Sequence, residues 1–358
     1  MRILHAISEM GSGGAEAVVQ ELALGQREAG HDVAVLSSGG HRERLLERAG
    51  VRLVSAPLQV RSVSGTAGGL AAASAARTPR PDVVHGHNVR ATAVAHLAVR
   101  RLRRAPPLVA TFHGVAEQDY PSAVRWLDRC ADEVVTVSDV VADRLVAAGL
   151  QRRPYVVHNA VTTPPAFDRR EVREDLGLPQ DVPVALCVAR VAEQKRHDVL
   201  VAAWDLLDED AVLVCVGAGP LLPQLQEAAA ASARRIVVLG ERTDVAQLLS
   251  AADLLVLASD WEGLPMAVLE AMSAGLPVVA TDVDGLREAV GPDAGLLVPP
   301  RDPGALATAL SSMLSDAPAR QAAGAAAARR VEARHSVQTM LAGYERVYEG
   351  LGVQPRIS

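Results

Sequence analysis

Short apolar runs rich in β-branched residues alternate with helical patterns along nearly the whole chain, and this alternation limits the fold more than any other feature. The runs "RILHAI", "DVAVLS", "PDVVHGH", "PLVATFHG", "DEVVTVS" and "PYVVHN" come first, with helical segments such as Ala15 to Ala29 between them. Strands that are apolar throughout must be covered on both faces, so the pattern predicts parallel sheets sandwiched by helices. Near Pro164 and Pro165 it breaks into the charged stretch "FDRREVREDLGLPQDVP". It then restarts as "VALCVAR", "AVLVCVG", "RIVVLG", "ADLLVLAS" and "LPVVAT". The expected fold class is α/β, with two doubly wound domains over residues 1–163 and 164–336 and a closing helix, residues 337–358, packed back on the first.

Composition supports that plan and excludes several functions. A chain of 358 residues is long enough for two cores. A net charge of −6 and only nine Phe, Trp and Tyr residues argue against a nucleic-acid partner, since base stacking needs aromatic platforms. No apolar stretch approaches the roughly 18 residues of a membrane span. "MRILHAISEM" turns polar too soon for a secretory signal, so a cytoplasmic location is expected. Cys130, Cys187 and Cys215 lack metal-ligand spacing and read as small buried hydrophobes. The basic stretch "VRRLRRAPP" carries Arg100, Arg101, Arg103 and Arg104. These could meet an anionic membrane surface weakly, making the protein peripheral at its inner face, or simply cap a helix C-terminus.

In open α/β sheets ligands sit beyond the carboxyl ends of the strands, and four constellations fall there. The first is "MGSGGAEAVVQELA" after the first strand, where Gly13 and Gly14 let backbone approach a phosphate at a helix N-terminus. The second strand ends without the acid that a dinucleotide-binding fingerprint requires, so a dehydrogenase is a poor reading, and a plain tight turn remains open. The second constellation is "CVARVAEQKRHDVL". Lys195 in it is the only lysine in a chain with 36 basic residues, and Arg190 stands five positions earlier. Both are placed to neutralise a diphosphate, with lysine as a compact point charge; a surface lysine kept by chance explains the stretch equally well.

The third constellation is "DWEGLPMAVLEAMSAGLPVVATD", in which Glu262 and Glu270 are separated by a helix start. Two such carboxylates can each take a pair of vicinal hydroxyls, while the free amides of Leu264, Met266 and Ala267 face phosphate or sugar oxygens. The alternative is that Glu270 is an ordinary solvated helix acid. The fourth is a set of histidines at strand ends in the first domain, His85, His87, His113 and His158.

Taken together, "EGLPMAVLEAMSAGLPVVATD", "ARVAEQKRHDVLVAAW", "GSGGAE", "TFHG", "VTVSD", "VGAGP" and "LLSAADLLVLAS" resemble, in order, the landmarks of the GT-B glycosyltransferases of family 4. These are retaining enzymes that use a nucleotide-activated sugar. The resemblance implies two Rossmann-like domains facing a cleft, the first binding the acceptor and the second the nucleotide sugar. It implies that Glu270 holds the ribose and Glu262 the transferred sugar, and that Arg190 and Lys195, with the backbone of Gly13 and Gly14, neutralise the diphosphate. His113 would lie against the donor sugar, the base near Gly217 and from Arg242 to Val245, and the donor cradle along Gly263, Leu264, Pro265, Met266 and Ala267. His85, His87, Glu117 and Asp119 are the candidate acceptor contacts, for a small-molecule or lipid-linked acceptor.

The chain departs from that family's pattern in three places. Arg196 stands where many members have glycine, "HNAVTT" lacks the usual aspartate, and Leu264-Pro265 replaces Phe-Gly. No metal or other cofactor is expected if Arg190, Lys195 and a helix N-terminus carry the leaving charge. Asp282 and Asp284 spell the metal-binding Asp-x-Asp of another glycosyltransferase fold, but their position beyond the Glu262–Glu270 helix argues against it. The expected reaction is a same-face transfer in which a donor phosphate oxygen deprotonates the acceptor hydroxyl, with UDP the first expectation for the nucleotide and GDP the second. Two alternatives stand beside it: a nucleotide-sugar epimerase of the same fold and a non-catalytic nucleotide-sugar binding protein.

Overall fold

The structure, a computed structural model, describes residues 1–56, 58, 80–100 and 104–354. Arg101, Arg103 and the loop "QVRSVSGTAGG" lie outside the described residues. The chain divides into two compact units, Met1–Ala160 with Ser336–Ser358, and Val161–His335. No helix among the described residues is long and apolar enough to cross a membrane.

In the first unit, β1 (Arg2–Ala6), β2 (Asp32–Ser37), β3 (Arg52–Ser55), β4 (Val83–Gly86), β5 (Leu108–Phe112), β6 (Glu133–Thr136) and β7 (Tyr155–Val156) form one parallel sheet in the order β3-β2-β1-β4-β5-β6-β7. Helices α1 (Gly14–Glu28), α2 (Glu43–Arg48), α3 (Val89–Val99), α4 (Tyr120–Cys130) and α5 (Asp139–Ala147) connect them. Local chemistry sets their starts: Asn88 and Ser138 accept from the amides of Ala91 and Val141 and so cap α3 and α5. Strand order reverses between β1 and β4. The loops after those two strands therefore splay apart, and both carry candidate residues.

The second unit repeats the plan with β8 (Val184–Val188), β9 (Val212–Val216), β10 (Ile236–Gly240), β11 (Leu254–Leu257), β12 (Val278–Thr281) and β13 (Gly295–Val298), ordered β10-β9-β8-β11-β12-β13. Its helices are α6 (Arg169–Asp175), α7 (His197–Asp205), α8 (Leu222–Ala231), α9 (Val245–Ala251), α10 (Met266–Ser273), α11 (Asp284–Val290), α12 (Pro303–Ser315) and α13 (Ala317–Arg334). Here the reversal lies between β8 and β11, which places Arg190 to Lys195 and Ser259 to Glu262 at the same end of adjacent strands.

The closing helix α14 (Val337–Gly350) belongs to the first unit. It comes so close to α1 that a Cβ on Gly25 would sit 2.9 Å from Val337 and Leu341 side-chain carbons. The charged stretch after Pro165 is not a bare linker, because it contains α6. The guanidinium of Arg173 in that helix is fully buried. It donates to the carbonyls of Ala251 at 2.9 Å, Pro179 at 2.9 Å and Val182 at 3.0 Å, and to Asp253 at 2.8 Å. Strands β3 and β13 are absent from the apolar runs read in the sequence. Both are four-residue edge strands, mostly half-exposed, and an edge strand needs no continuous apolar run.

Candidate functional site

The chemistry-bearing residues of the second unit meet where β8 and β11 end. After β8 the chain runs through Arg190 into a single 3-10 turn, Glu193–Lys195. After β11 it runs through Ser259 to Glu262 and then into α10. The Lys195 ammonium donates to Oε1 of Glu262, and the Ser259 hydroxyl donates to the same oxygen at 2.6 Å. Glu262 is only 5% exposed, so these donors stand where water would otherwise bond its carboxylate. The two loops are also stitched through their backbones. The Asp260 amide donates to the Gln194 carbonyl at 2.8 Å, and Nε2 of Gln194 donates to the Trp261 carbonyl at 2.8 Å.

Arg190 is exposed and has no ion pair among the described residues. Its place is fixed by two glycines across from it. A Cβ on Gly217 would lie 1.9 Å from the Ala189 carbonyl oxygen, and one on Gly219 would lie 2.2 Å from that of Val191. "VGAGP" is therefore a contact surface on which the Arg190 loop rests. Gly285, at the start of α11, does the same for Gly263, whose carbonyl would lie 1.6 Å from an added Cβ.

Arg196 takes the left-handed conformation that glycine favours, with φ of 49° and ψ of 48°. The loop thus keeps the geometry glycine would give it, although a non-glycine residue is strained there. Charge holds the residue in place: Arg196 pairs with Asp198 at 2.7 Å and with Asp260 at 3.5 Å. Arg301, also at positive φ, grips Asp260 with two bonds of 2.9 Å. Arg301 beside it, with Arg196 next, holds the Asp260 carboxyl below the usual carboxylate range.

The remaining predicted residues of this unit fall around the pair. Glu270 is the fifth residue of α10 and is half-buried, and Pro265 caps that helix without offering an amide, leaving Met266 and Ala267 at its start. Leu264 is buried. Gly217 follows β9 and Val245 opens α9, while Arg242 is already paired with Asp244, its Nε donating at 2.8 Å. Asp282 is gripped by Arg287, with one bond of 2.6 Å.

In the first unit Gly13 caps α1, and the carboxylate of Glu16 folds back against it, so that a Cβ on Gly13 would meet it at 2.0 Å. The helix N-terminus over Gly13 and Gly14 thus already has an anion beside it. The glycine loop is braced by Arg42, which donates to the Gly11 carbonyl at 2.9 Å. Glu117 and Asp119 are exposed on a 3-10 turn before α4.

The histidines are different from what their strand-end positions suggest. His85 and His87 are fully buried, with His5, in one network. With neutral imidazoles the Gln26 carbonyl oxygen fixes the direction of its first half: His87 donates to His5 at 2.9 Å, His5 to Gln26 at 2.7 Å, and Gln26 through its amide nitrogen to Tyr348 at 3.4 Å. The second half links Tyr348 to His85 at 2.8 Å, His85 to Thr111 at 2.7 Å and Thr111 to Tyr344 at 3.0 Å, and is satisfied with its donors running either way. Both ring nitrogens of His85 are used, so it has none left for an acceptor, which corrects that expectation. His87 has no exposed surface and keeps one nitrogen, Nδ1, without a partner among the described residues, as does His113 through Nε2. Burial pushes His5 and His113 down to about 4, and it lowers His85 and His87 well below the ordinary imidazole value, helped by their histidine neighbours. His158, after β7, lies 4.0 Å from Asp139.

Sequence reasoning missed Ser259, Gln194, Asp260, Arg301 and Gly285. Ser259 carried the clearest signal, as a polar residue at the carboxyl end of an otherwise apolar strand.

Comparison with known proteins adds a chemistry to this geometry. A family model described as Glycosyl transferases group 1 matches residues 182–316, and one described as Glycosyltransferase Family 4 matches residues 12–164. The lipopolysaccharide core biosynthesis mannosyltransferase LpsB of Rhizobium meliloti is 30% identical over 67% of this chain and 72% of its own length. The D-inositol 3-phosphate glycosyltransferase of Xylanimonas cellulosilytica is 35% identical over 70% of this chain and 68% of its own. Among solved structures, Anabaena HepE in complex with UDP and glucose is similar in fold, with a TM-score of 0.85 and 22% identity, over 99% of this chain and 100% of that one.

Proposed function

Since the chain belongs to the family 4 glycosyltransferases of the GT-B type, we propose that it moves a sugar from a nucleoside diphosphate sugar to an acceptor hydroxyl with retention at the anomeric carbon. The observation that carries this reading is the Lys195–Glu262 pair at the carboxyl ends of β8 and β11, with Arg190, which has no ion pair among the described residues, earlier on the Lys195 loop. A cation for a phosphate and a carboxylate for sugar hydroxyls then occupy one spot, as a donor that joins phosphate to sugar requires.

On this reading Arg190 and Lys195 bind the diphosphate as it leaves, each charged hydrogen bond contributing about 1.5–3 kcal/mol. Glu262 takes hydroxyls of the transferred sugar, and Glu270 takes those of the ribose. His113 lies against the donor sugar. The bond from the anomeric carbon to the phosphate oxygen breaks, and a donor phosphate oxygen takes the acceptor proton. The acceptor oxygen then bonds the same face of the sugar. Two cations and the start of α10 carry the leaving charge, so no metal enters the proposal. Glu117 and Asp119, both exposed, are proposed contacts for a small-molecule or lipid-linked acceptor, whereas the fully buried His87 is not.

HepE's complexes with UDP and with UDP-glucose support UDP as the first choice of nucleotide, with GDP second. A cytoplasmic setting is part of the same reading, with Arg100 and Arg104, both exposed, touching an anionic membrane surface at most weakly. Calorimetric titration with UDP, GDP and ADP sugars tests the donor, and NMR of the product anomer tests retention. Heat from none of the three would remove the donor assignment. A trapped glycosyl-enzyme adduct would remove the same-face route, and an epimer formed from donor alone would point to the epimerase instead.

A further inference from the structure

Ser259 is fully buried, and its polar atoms do separate things. Its carbonyl accepts from the Thr281 hydroxyl at 2.6 Å, at the end of the neighbouring strand β12. Its hydroxyl donates to Oε1 of Glu262, also at 2.6 Å. The loop does not need that second bond to keep its shape. Thr281 holds the Ser259 carbonyl, Gln194 holds residues 260 and 261 from both sides, and Arg301 holds the Asp260 carboxylate. The hydroxyl therefore acts on one thing, the carboxylate of Glu262.

We infer that Ser259 is a positioning residue, which fixes the Glu262 carboxylate for the donor sugar when Lys195 turns to the donor phosphate. The inference rests on the donor reading above. A lysine that serves both a carboxylate and a diphosphate gives less to each. Without a second donor, the nearly buried carboxylate would then lose its orientation just as the sugar needs it. Ser259 occupies Oε1 in either state. Among the described residues Oε2 takes no hydrogen bond, so it is the oxygen available to a sugar hydroxyl.

Steady-state kinetics and room-temperature crystallography of the full chain test this. Ser259→Ala should lower kcat roughly ten-fold to a hundred-fold, the range expected for one hydrogen bond to a charged group, with a smaller change in donor KM. Ser259→Thr, which keeps the hydroxyl, should restore most of the loss. In a Glu262→Ala background the serine substitution should cost nothing further. Crystals of Ser259→Ala should show Glu262 in more than one rotamer, against one in the parent and in Ser259→Thr. An equal loss in the Glu262→Ala background, or a single unchanged Glu262 rotamer in Ser259→Ala, overturns the inference. The rotamer comparison needs no substrate, so it is read separately from the calorimetry, whose failure would strike the donor assignment alone.

Discussion

The ammonium of Lys195 and the carboxylate of Glu262 are bonded across 67 residues of sequence, on loops that leave adjacent strands of the second unit. Neither side chain is more than 16% exposed, so the pair is a shielded feature of the site. The ammonium has three N–H donors, so in the proposed function Lys195 would divide them between Glu262 and a donor phosphate.

If Lys195 binds the leaving diphosphate as proposed, Lys195→Ala should cut kcat about 10²–10³-fold while the fold survives, the loss expected for removing one donor to developing charge. Lys195→Arg is the sharper test. A guanidinium keeps the charge but spreads it over a planar fork, so at least about ten-fold should still be lost. Near-normal turnover of either variant, measured beside an unchanged circular dichroism spectrum, would refute the assignment.

Gly217→Ala should damage both stability and donor binding. Its φ of 145° is one that L side chains rarely adopt, and the new Cβ would overlap the Ala189 carbonyl at 1.9 Å. Relief requires the backbone before Arg190 to shift. Donor affinity measured by calorimetry should fall at least ten-fold, with a loss of about 2 kcal/mol in denaturant unfolding. A variant with parental affinity would show that the Arg190 loop is not set by this contact.

Most of the fold was legible because buried parallel strands leave a clear mark: runs that are mainly apolar on both faces. The short edge strands β3 and β13 were not, since each has only four residues and three of them in each are half-exposed rather than buried. Motif residues such as Lys195 and Glu262 could be picked out by spacing, but their direct bond could not, because it depends on which strands are neighbours. The histidines show the opposite failure. Their positions at strand ends suggested ligands, whereas His85 spends both nitrogens on Tyr348 and Thr111, partners 263 and 26 residues away. Long-range hydrogen bonding of this sort has no local signature.

Arg196→Gly should leave stability within about 1 kcal/mol of the parent. Release of the left-handed strain favours the glycine by about 1–2 kcal/mol. Loss of the pairs with Asp198 and Asp260 opposes it by a similar amount, since the first partner is 67% exposed and weakly bound. Arg196→Ala keeps the strain and loses the pairs, so it should be the less stable of the two by chemical denaturation. If alanine proves as stable as glycine, backbone strain is not what the arginine pairs offset.

Acid should destabilise the first unit already above the pH at which carboxylates protonate. His5 and His113 are held at about 4 by burial, against 6.5 for an exposed imidazole, and His85 and His87 are lowered as well. Between those values the unfolded chain binds protons that the folded chain refuses, so stability rises with pH through this window and falls as pH drops from 6.5 toward 4. Each strongly shifted histidine contributes up to about 3 kcal/mol to the change. In the second unit, carboxylates held low by their arginine partners, such as Asp260 and Asp282, cost stability only below about pH 4, near their unfolded values. Scanning calorimetry should therefore show Tm falling by about 10 °C or more between pH 6.5 and 4.5. Because the network joins α14 to the sheet through Tyr344 and Tyr348, hydrogen exchange along Val337–Gly350 should rise over the same interval. A flat Tm over that range would mean that the imidazoles are not held neutral by burial.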